Sequence, residues 1–346
     1  MRRDVCFVAL AAVLAGSCAN EGEAPENLSS WGLFEDGATQ TPREGVLPYE
    51  IVSPLFSDYA TKHRFIQLPE GGQIAYTADG DWEYPVGTVL VKTFGFSNDL
   101  RDPSAGERII ETRLLVLEET GWEPYVYLWN EDATEAVHTP TGARVDVEWI
   151  HHDGEVRSIE YRVPNEIQCA NCHGGAEPTS PIGPRAEQLD MAYDYGDGPE
   201  NQLEHMASLG WFANAVPPAA DRAPLAAPDD EAADLDARAR AYLDANCAHC
   251  HQDGGAAGQS GLWLNAHVTE PLQLGICKRP VAAGAGTGGR TYDIVPGAPD
   301  ESVMVFRMES EEPGIKMPEL PTVLSHAEGV ALVREWIANM EPAGCE

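Results

Sequence analysis

The stretch WEYPVGTVLVKTF, residues 82–94, carries the strongest fold signal in the chain. Its second half, Thr88–Phe94, consists mainly of β-branched and aromatic residues, which favour a pleated and half-buried strand. The Pro-Val-Gly sequence at residues 85–87 is typical of a turn, because proline fixes φ and glycine admits positive φ. The stretch therefore predicts a β-strand that the chain enters through a tight turn.

Similar short patterns continue after this stretch. Tyr125–Trp129 and Val145–Trp149 alternate large apolar side chains with other residues, which predicts strands with one buried face. His152-Asp153-Gly154 then predicts a hairpin turn before a returning strand at Ile159–Val163. Many short strands at this spacing predict a β-sandwich-like domain, or alternatively a rolled sheet, over residues 29–163, which is long enough to bury its own core.

Two copies of the C-x-x-C-H motif follow: Cys169-Ala170-Asn171-Cys172-His173 and Cys247-Ala248-His249-Cys250-His251. This arrangement attaches haem c, because two thiols on one turn form thioethers with the porphyrin and the next histidine reaches the iron. A single zinc site built from the two C-x-x-C pairs is the alternative. Zinc requires no histidine directly after each pair, so the motifs predict two covalently attached haems with His173 and His251 as axial ligands.

Composition divides the rest of the chain into segments. Residues 164–216 are rich in Gly and Pro and are predicted to be a loop-rich haem segment. Within it, Asn165 is predicted to cap a short helix that bears the first motif, and Asn201–Gly210 predicts another helix. Residues 217–228 interleave Pro with Ala and acids, as a semi-rigid linker does. Residues 229–346 then form the last predicted unit.

The last unit is predicted to be all-α. An apolar stripe over Leu235–Leu243 predicts a helix that runs into Cys247. Ser325-His326-Ala327-Glu328 matches a capping box in front of a second helix, whose apolar positions extend to Met340.

Two terminal helices, a haem motif and Lys316-Met317-Pro318 between them resemble the class I cytochrome c fold. In that family the terminal helices cross, and a methionine followed by proline supplies the sixth iron ligand. The resemblance implies that Cys247 and Cys250 hold haem, with His251 proximal and Met317 distal, and that the reduction potential is comparatively high. A methionine that merely packs in the core is the alternative for Met317.

A wider resemblance covers nearly the whole chain after the N-terminus. YEIVSPLFSDYATK at residues 49–62, ETRLLV at residues 111–116 and NCAHCH at residues 246–251 are distinctive. Together they resemble a bacterial family of exported diheme c-type cytochromes, often lipoproteins, without an assigned physiological role. The resemblance implies two haems and implies no substrate.

Residues 1–17 are predicted to be a signal peptide of the lipoprotein type. Arg2 and Arg3 precede the apolar run Val5–Leu14, which is too short to span a bilayer. Small residues then lead to Cys18, as in a bacterial lipoprotein cleavage site. We therefore expect a protein of the periplasm or cell envelope, tethered to a membrane only by a lipid on Cys18; an ordinary cleaved signal is the alternative.

Two cysteines remain outside the motifs and the N-terminus. Cys277 and Cys345 lie in the same C-terminal region, and an oxidising compartment allows them to pair. In the chain-entropy model, a bridge across a loop of this length contributes about 4 kcal/mol.

The formal net charge of −34 constrains the partners. Nucleic acid is excluded, because phosphate binding needs a basic surface. The acidic surface favours periplasmic or membrane redox proteins with a basic docking face. Solubility of an exported protein explains the same charge equally well.

The sixth ligand of the first haem has several candidates. His205 lies on a predicted helix 32 residues after His173 and is the preferred one, followed by Met191. The third alternative is that the sixth coordination position of this iron stays open.

Three functions follow from these features. The first is a diheme c-type cytochrome that transfers single electrons between redox partners and has no catalytic residues. The second is a peroxidase-like diheme enzyme with an open iron at the first haem. The third is a binding module formed by residues 29–163 and coupled to haem electron transfer.

Overall fold

The computed structural model describes residues 24–78, 80–174, 178–281, 283–319, 322–342 and 344–345. Its largest element is a six-stranded antiparallel sheet in the N-terminal half. The strands of the described chain are β1 (Phe34–Asp36), β2 (Thr41–Pro42), β3 (Val46–Pro48), β4 (Thr61–Gln67), β5 (Val89–Ser97), β6 (Glu107–Glu118), β7 (Gly121–Trp129), β8 (Ala136–His138), β9 (Ala143–Ile150), β10 (Val156–Val163), β11 (Ala192–Asp194) and β12 (Pro199–Asn201).

The helices are short and lie mainly in the second half. The α-helices are α1 (Glu166–His173), α2 (Ala186–Leu189), α3 (Gln202–Ser208), α4 (Leu235–Leu243), α5 (Val303–Glu309) and α6 (Ala327–Asn339). Single 3-10 turns lie at Leu28–Trp31, Pro103–Ala105, Ala219–Asp221, Gly258–Ser260, Gly284–Thr287 and Pro299–Glu301, and a π-helical turn at Asp244–Ala248 follows α4.

The large sheet has the order β3-β4-β5-β6-β7-β8, so neighbours in the sheet are also neighbours in the chain. The strand predicted after the Pro-Val-Gly turn is confirmed as β5, and Gly87 in the turn has a φ of 96°. One face of the sheet packs on a hydrophobic core beneath it. That core contains Leu28, Leu33, Val46, Phe65, Val89, Val91, Ile109, Leu114, Val116, Tyr127, Trp129 and Ala136.

The opposite face of the sheet is covered at its two ends by different elements. At one end Ile66 and Leu90 pack with Leu203 and Met206 of α3. At the other end Phe94 and Val126 of the sheet pack with side chains of β9 and β10, namely Val147, Trp149, Tyr161 and Val163. The middle of this face lies between these two groups of packed side chains and borders the candidate site.

The predicted β-sandwich-like domain is wrong in its layering. Strands β9 and β10 form a two-stranded hairpin that covers only one end of the six-stranded sheet, instead of a second sheet of comparable size. The hairpin gains no third strand, because Pro164 and Asn165 follow β10 at once and the chain enters α1.

The predicted all-α class I cytochrome c-like domain over residues 229–346 is also wrong. Helices α4, α5 and α6 contain 9, 7 and 13 residues, and the described chain between Ala248 and Val303 consists of turns, single helical turns and isolated bridges. Gly254, Gly261 and Gly275 have positive φ values there, a conformation that ends a helix. The multidomain β + α fold class therefore does not describe this β-rich molecule.

The predictions of helix N-termini were confirmed near Asn165 and Asn201 and wrong at Ser325. Asn165 caps α1 as predicted, in a reciprocal capping box with Gln168. The helix predicted over Asn201–Gly210 is confirmed as α3, with Asn201 as its cap. The capping box predicted at Ser325 is wrong, because its hydroxyl donates to the Met308 carbonyl (2.7 Å) and α6 begins after His326 without a side-chain cap.

Three further observations concern the outer parts of the chain. The predicted disulfide between Cys277 and Cys345 is confirmed. The predicted signal peptide at residues 1–17 and the lipid site at Cys18 lie outside the described residues. Among the helices that the structure describes, none has the length and apolar character needed to cross a membrane.

Candidate functional site

The first C-x-x-C-H motif lies on α1, and Glu166 anchors this helix to the sheet. The Glu166 carboxylate accepts the backbone N–H of Val126 (3.1 Å) and contacts the His138 ring nitrogen Nε2 (2.7 Å). The helix starts directly after β10, so it lies close to the covered face of the sheet. Cys169 and Cys172 are free thiols on this helix and are partly buried.

His173 is oriented in the manner of an iron ligand. Its Nδ1 lies 2.9 Å from the Ser180 carbonyl oxygen and donates to it, which leaves Nε2 without a bond in the described chain. Metal-ligating histidines usually donate their other ring N–H to such a partner, which fixes the tautomer. Burial lowers the pKa of His173 to about 4, so the ring is neutral at pH 7 and its Nε2 lone pair is available.

A cavity of about 840 Å³ opens beside this helix. It is bounded by α1, by the middle of the sheet face and by residues of the second motif, among them Ala248 and His249. Its volume falls within the range of about 300–1,000 Å³ typical of cofactor and ligand pockets. Leu90, Leu115 and Val163 give it an apolar wall.

The second motif is held in a buried position after α4. Asn246 is 1% exposed; its Oδ1 accepts the backbone N–H of Phe56 (2.7 Å), and its Nδ2 donates to the Tyr242 carbonyl (3.0 Å). The Ser53 hydroxyl donates to the Ala241 carbonyl (2.9 Å). The distinctive segment 49–62 thus fastens the second motif to the sheet.

His251 has the same type of support as His173, but a weaker one. Its Nδ1 lies 3.4 Å from the Ser260 hydroxyl oxygen, at the long end of a hydrogen bond. Burial is the largest cause that lowers the pKa of His251, to about 4, so this imidazole is also neutral.

Met317 lies near Cys247 of the second motif, and its role as an iron ligand stays a prediction. Met317, Cys247 and His326 line one void, whose volume is about 30 Å³. A void of this size has room for about one water molecule. The void therefore brings Met317 close to Cys247 but has no space for a porphyrin, and neither Cys250 nor His251 lines it.

The two motifs meet at Cys172, His249 and Cys250. One donor atom of each lies within 4.8 Å of the others. The hydrogen bond between the two thiols lowers the pKa of Cys172 and raises that of Cys250, and the neighbouring His249 lowers that of Cys172 further. His249 borders the cavity, and its Nδ1 is buried without a hydrogen-bond partner in the described chain.

His205 lies elsewhere. Its ring stacks on Tyr195 with centroids 3.7 Å apart, and its Nδ1 contacts Glu200 Oε1 at 2.6 Å. Neither His205 nor Met191 lines the cavity beside α1. The structure therefore does not bring either predicted sixth ligand to the first motif, and their coordination stays a prediction.

The sequence interpretation missed a group of cationic residues in the same cavity. Arg64 of β4, Lys92 of β5 and Arg113 of β6 all line it. The signal was present in the sequence, since Lys92 interrupts an otherwise apolar strand and Arg113 lies in the distinctive stretch at residues 111–116.

No protein-family model, no curated protein and no solved structure matches this chain. The family resemblance therefore stays a prediction, and the residues of the site carry the functional argument.

The first motif fits a covalently attached haem. Cys169 and Cys172 are free, His173 presents Nε2, and an open volume lies beside them. At the second motif, Cys247 and Met317 border a void that is too small for the group. Attachment there requires that Met317 and its neighbours move away from Cys247.

Proposed function

We propose that this protein is a c-type cytochrome that carries two covalent haems and transfers single electrons between redox partners. The observation that carries the proposal is the site of His173: an Nδ1 bound to the Ser180 carbonyl, a free Nε2, and a cavity of about 840 Å³ beside two free thiols. A haem in this place supplies a one-electron iron couple. The protein residues hold and orient it and limit its exposure to water.

The contact between the motifs supports a relay. Cys172 of the first motif and Cys250 of the second lie side by side. The two points of attachment are therefore adjacent, as an electron path between two haems requires. The segment around Ser53 and Phe56 holds the second motif against the sheet and keeps this arrangement fixed.

The Cys277–Cys345 disulfide supports a location outside the cytosol, because such bonds persist mainly in oxidising compartments. The periplasm or cell envelope, with a lipid anchor on Cys18, is the location we propose. With a net charge of −34, the surface favours redox partners that present a basic face.

The cluster of Cys172, His249 and Cys250 supports a second candidate, a metal site such as zinc. Cys and His are the usual zinc ligands, but a structural zinc site has four of them. The cluster supplies three, and the other two motif cysteines, Cys169 and Cys247, are not part of it. We therefore prefer covalent haem.

One preparation tests these candidates. The full chain is produced with haem-attachment machinery, and covalent haem and zinc are counted per chain, followed by EPR of the ferric protein. Two haems with two low-spin signals support the electron carrier, whereas a large high-spin signal indicates the peroxidase-like alternative with an open iron. A chain that carries zinc and no covalent haem overturns the proposal.

A further inference from the structure

Three cations lie side by side on the covered face of the sheet. In the strand register, Arg64 of β4 is opposite Lys92 of β5, and Lys92 is opposite Arg113 of β6. Directly opposite residues on neighbouring strands have Cβ atoms about 4.5–5.5 Å apart, and like charges in such pairs are destabilising. A row of three requires a compensating negative charge.

Internal carboxylates compensate two members of this cation row. Arg64 Nη1 donates to Glu50 Oε2 at 2.8 Å. Arg113 donates to both oxygens of Glu111, at 2.9 and 2.5 Å, and Glu111 is fully buried. Both arginines are thus paired within the protein.

Lys92, the middle member, has no such partner. Among the described residues neither a hydrogen bond nor an ion pair reaches its ammonium group, which lies 5.2 Å from the centroid of the Phe94 ring. Burial, and then the neighbouring Arg64, Lys62 and Arg113, lower its pKa well below the usual value. Glu111, which is already bound to Arg113, acts in the opposite direction and raises it. Lys92 lines the cavity and is partly exposed, so an anion bound there can reach its ammonium group and would stabilise the charged form.

The cavity wall as a whole has the opposite charge balance to the molecule. The chain contains 22 basic and 56 acidic residues. The cavity is lined by six basic residues and three acidic ones, which are Arg64, Lys92, Arg113, Arg144, Arg162, Arg185, Asp81, Asp244 and Asp253. Four of these basic residues, Arg64, Arg113, Arg144 and Arg185, form ion pairs with carboxylates of the protein. Lys92 and Arg162 form none among the described residues, and these two cations mark the cavity as a place for a negatively charged group.

We propose that the row Arg64–Lys92–Arg113 is an anion-binding site, in which Lys92 pairs with a carboxylate or phosphate group of whatever fills the cavity. The apolar wall around Leu90 and Leu115 suits a ligand with an apolar body and anionic ends. One source of that chemistry is the pair of propionates of a haem attached at Cys169 and Cys172, and this source rests on the proposed function. The other source is a free small oxyanion.

The first experiment uses the full haem-loaded protein. Reduction potentials are measured for the wild type, Lys92→Met, Lys92→Arg and the surface control Arg101→Gln, after the haem content of each has been matched. With haem propionates at the row, the potential of one haem falls in Lys92→Met, because loss of the cation favours the ferric form. Lys92→Arg and Arg101→Gln keep the wild-type values.

The second experiment uses the same full-length chain produced without haem attachment. Inorganic phosphate is titrated against chloride at matched ionic strength, and thermal unfolding is followed. We expect phosphate to raise the Tm of the wild type and Lys92→Arg, and Lys92→Met to need about tenfold more phosphate for the same shift, since a charge-assisted hydrogen bond is lost.

The two experiments distinguish the two sources. A lowered potential together with loss of the phosphate response in the haem-loaded wild type assigns the row to haem propionates. Unchanged potentials with a phosphate response that persists after haem loading assign it to a free oxyanion. A Lys92→Met variant that matches the wild type in both experiments overturns the anion site. A chain that takes up no haem overturns the proposed function but not the anion site, because the phosphate titration still tests that site.

Discussion

The two C-x-x-C-H motifs of this protein have the same pattern and opposite surroundings. The first lies on α1 beside a cavity of about 840 Å³ whose wall is a β-sheet. The second begins in a π-helical turn, Asp244–Ala248, where Met317 and Cys247 border a void of about 30 Å³. The first has space and no predicted sixth ligand nearby, whereas the second has a candidate ligand and no space. The two motifs thus share a residue pattern, whereas their neighbours determine how much space lies beside each of them.

The difference has a structural cause. The first site lies against strands of the six-stranded sheet, whose spacing is fixed by backbone hydrogen bonds. The middle of the covered sheet face therefore stays open between the two hydrophobic cores at its ends. The second site is surrounded by side chains of α4, α5 and α6, which close around it. We expect the first site to be preformed, and the second to rearrange when it is loaded.

The largest expected effect is the loss of one haem at a time. Replacing Cys169 and Cys172 by alanine is expected to reduce the covalent haem count from two to one per chain, and so is replacing Cys247 and Cys250. Under the proposed function, each pair supplies both thioether bonds of one haem. The pyridine haemochrome spectrum of the denatured protein measures the count.

The remaining two cysteines provide a matched control. Replacing Cys277 and Cys345 removes the disulfide and is expected to leave the haem count at two. If the chain without Cys247 and Cys250 still carried as much haem as the wild type, the second motif would not be an attachment site.

The next effect concerns Met317. Met317→Ala is expected to leave both haems attached, to lower one reduction potential and to let exogenous ligands reach one iron, because a thioether ligand favours ferrous iron. Potentiometry and ligand-binding spectra check this. The matched variant is Met308→Ala, which removes another methionine that lines the same void. If both variants changed the potentials and ligand-binding spectra equally, Met317 would be a packing residue and not an iron ligand.

Gly329 tests how tightly the second site is closed. A Cβ at this position of α6 would overlap the ring of Tyr242 on α4. Gly329→Ala is therefore expected to lower the free energy of unfolding by about 1–3 kcal/mol, as overpacking of a core does. Chemical denaturation measures it, with Gly344→Ala as the control, since no atom lies within 4 Å of a Cβ there. A neutral Gly329→Ala would show that α4 and α6 separate easily.

The sequence predicted local features of both regions better than their assembly. Strand β5, the Asn165 cap and the Cys277–Cys345 bridge follow from short-range patterns and residue chemistry. The all-α prediction failed because it extended two helical patterns across a glycine-rich stretch that forms turns. The capping box at Ser325 failed because a tertiary acceptor, the Met308 carbonyl, takes its hydroxyl.

The site also contained features that no local pattern reveals. The contact between Cys172 and Cys250 joins residues far apart in the chain. The cation row depends on strand register, which aligns Arg64, Lys92 and Arg113 only once the sheet is assembled. Such long-range placement requires the fold.

The last test concerns the connection between the two regions at Asp58. Its buried carboxylate accepts the backbone N–H groups of Val323 (2.9 Å) and Leu324 (2.8 Å), which precede α6. Asp58→Ala leaves both donors without this acceptor and is expected to cost about 1–3 kcal/mol of unfolding free energy. Asp58→Asn keeps one acceptor oxygen and tolerates the φ of 55°, so its loss is expected to be smaller.

The pH dependence of this pair sharpens the test. Burial raises the pKa of Asp58 above its usual 3.8, despite the N–H groups of Leu324 and Val323 and the nearby Lys316 and Lys62, which lower it. The folded chain therefore takes up this proton at a higher pH than the unfolded chain does. As the pH falls from 7 towards 4, the wild type should gain stability relative to Asp58→Asn. Denaturation curves at several pH values measure the difference, and a difference that stays constant would mean that Asp58 is not buried between the two regions.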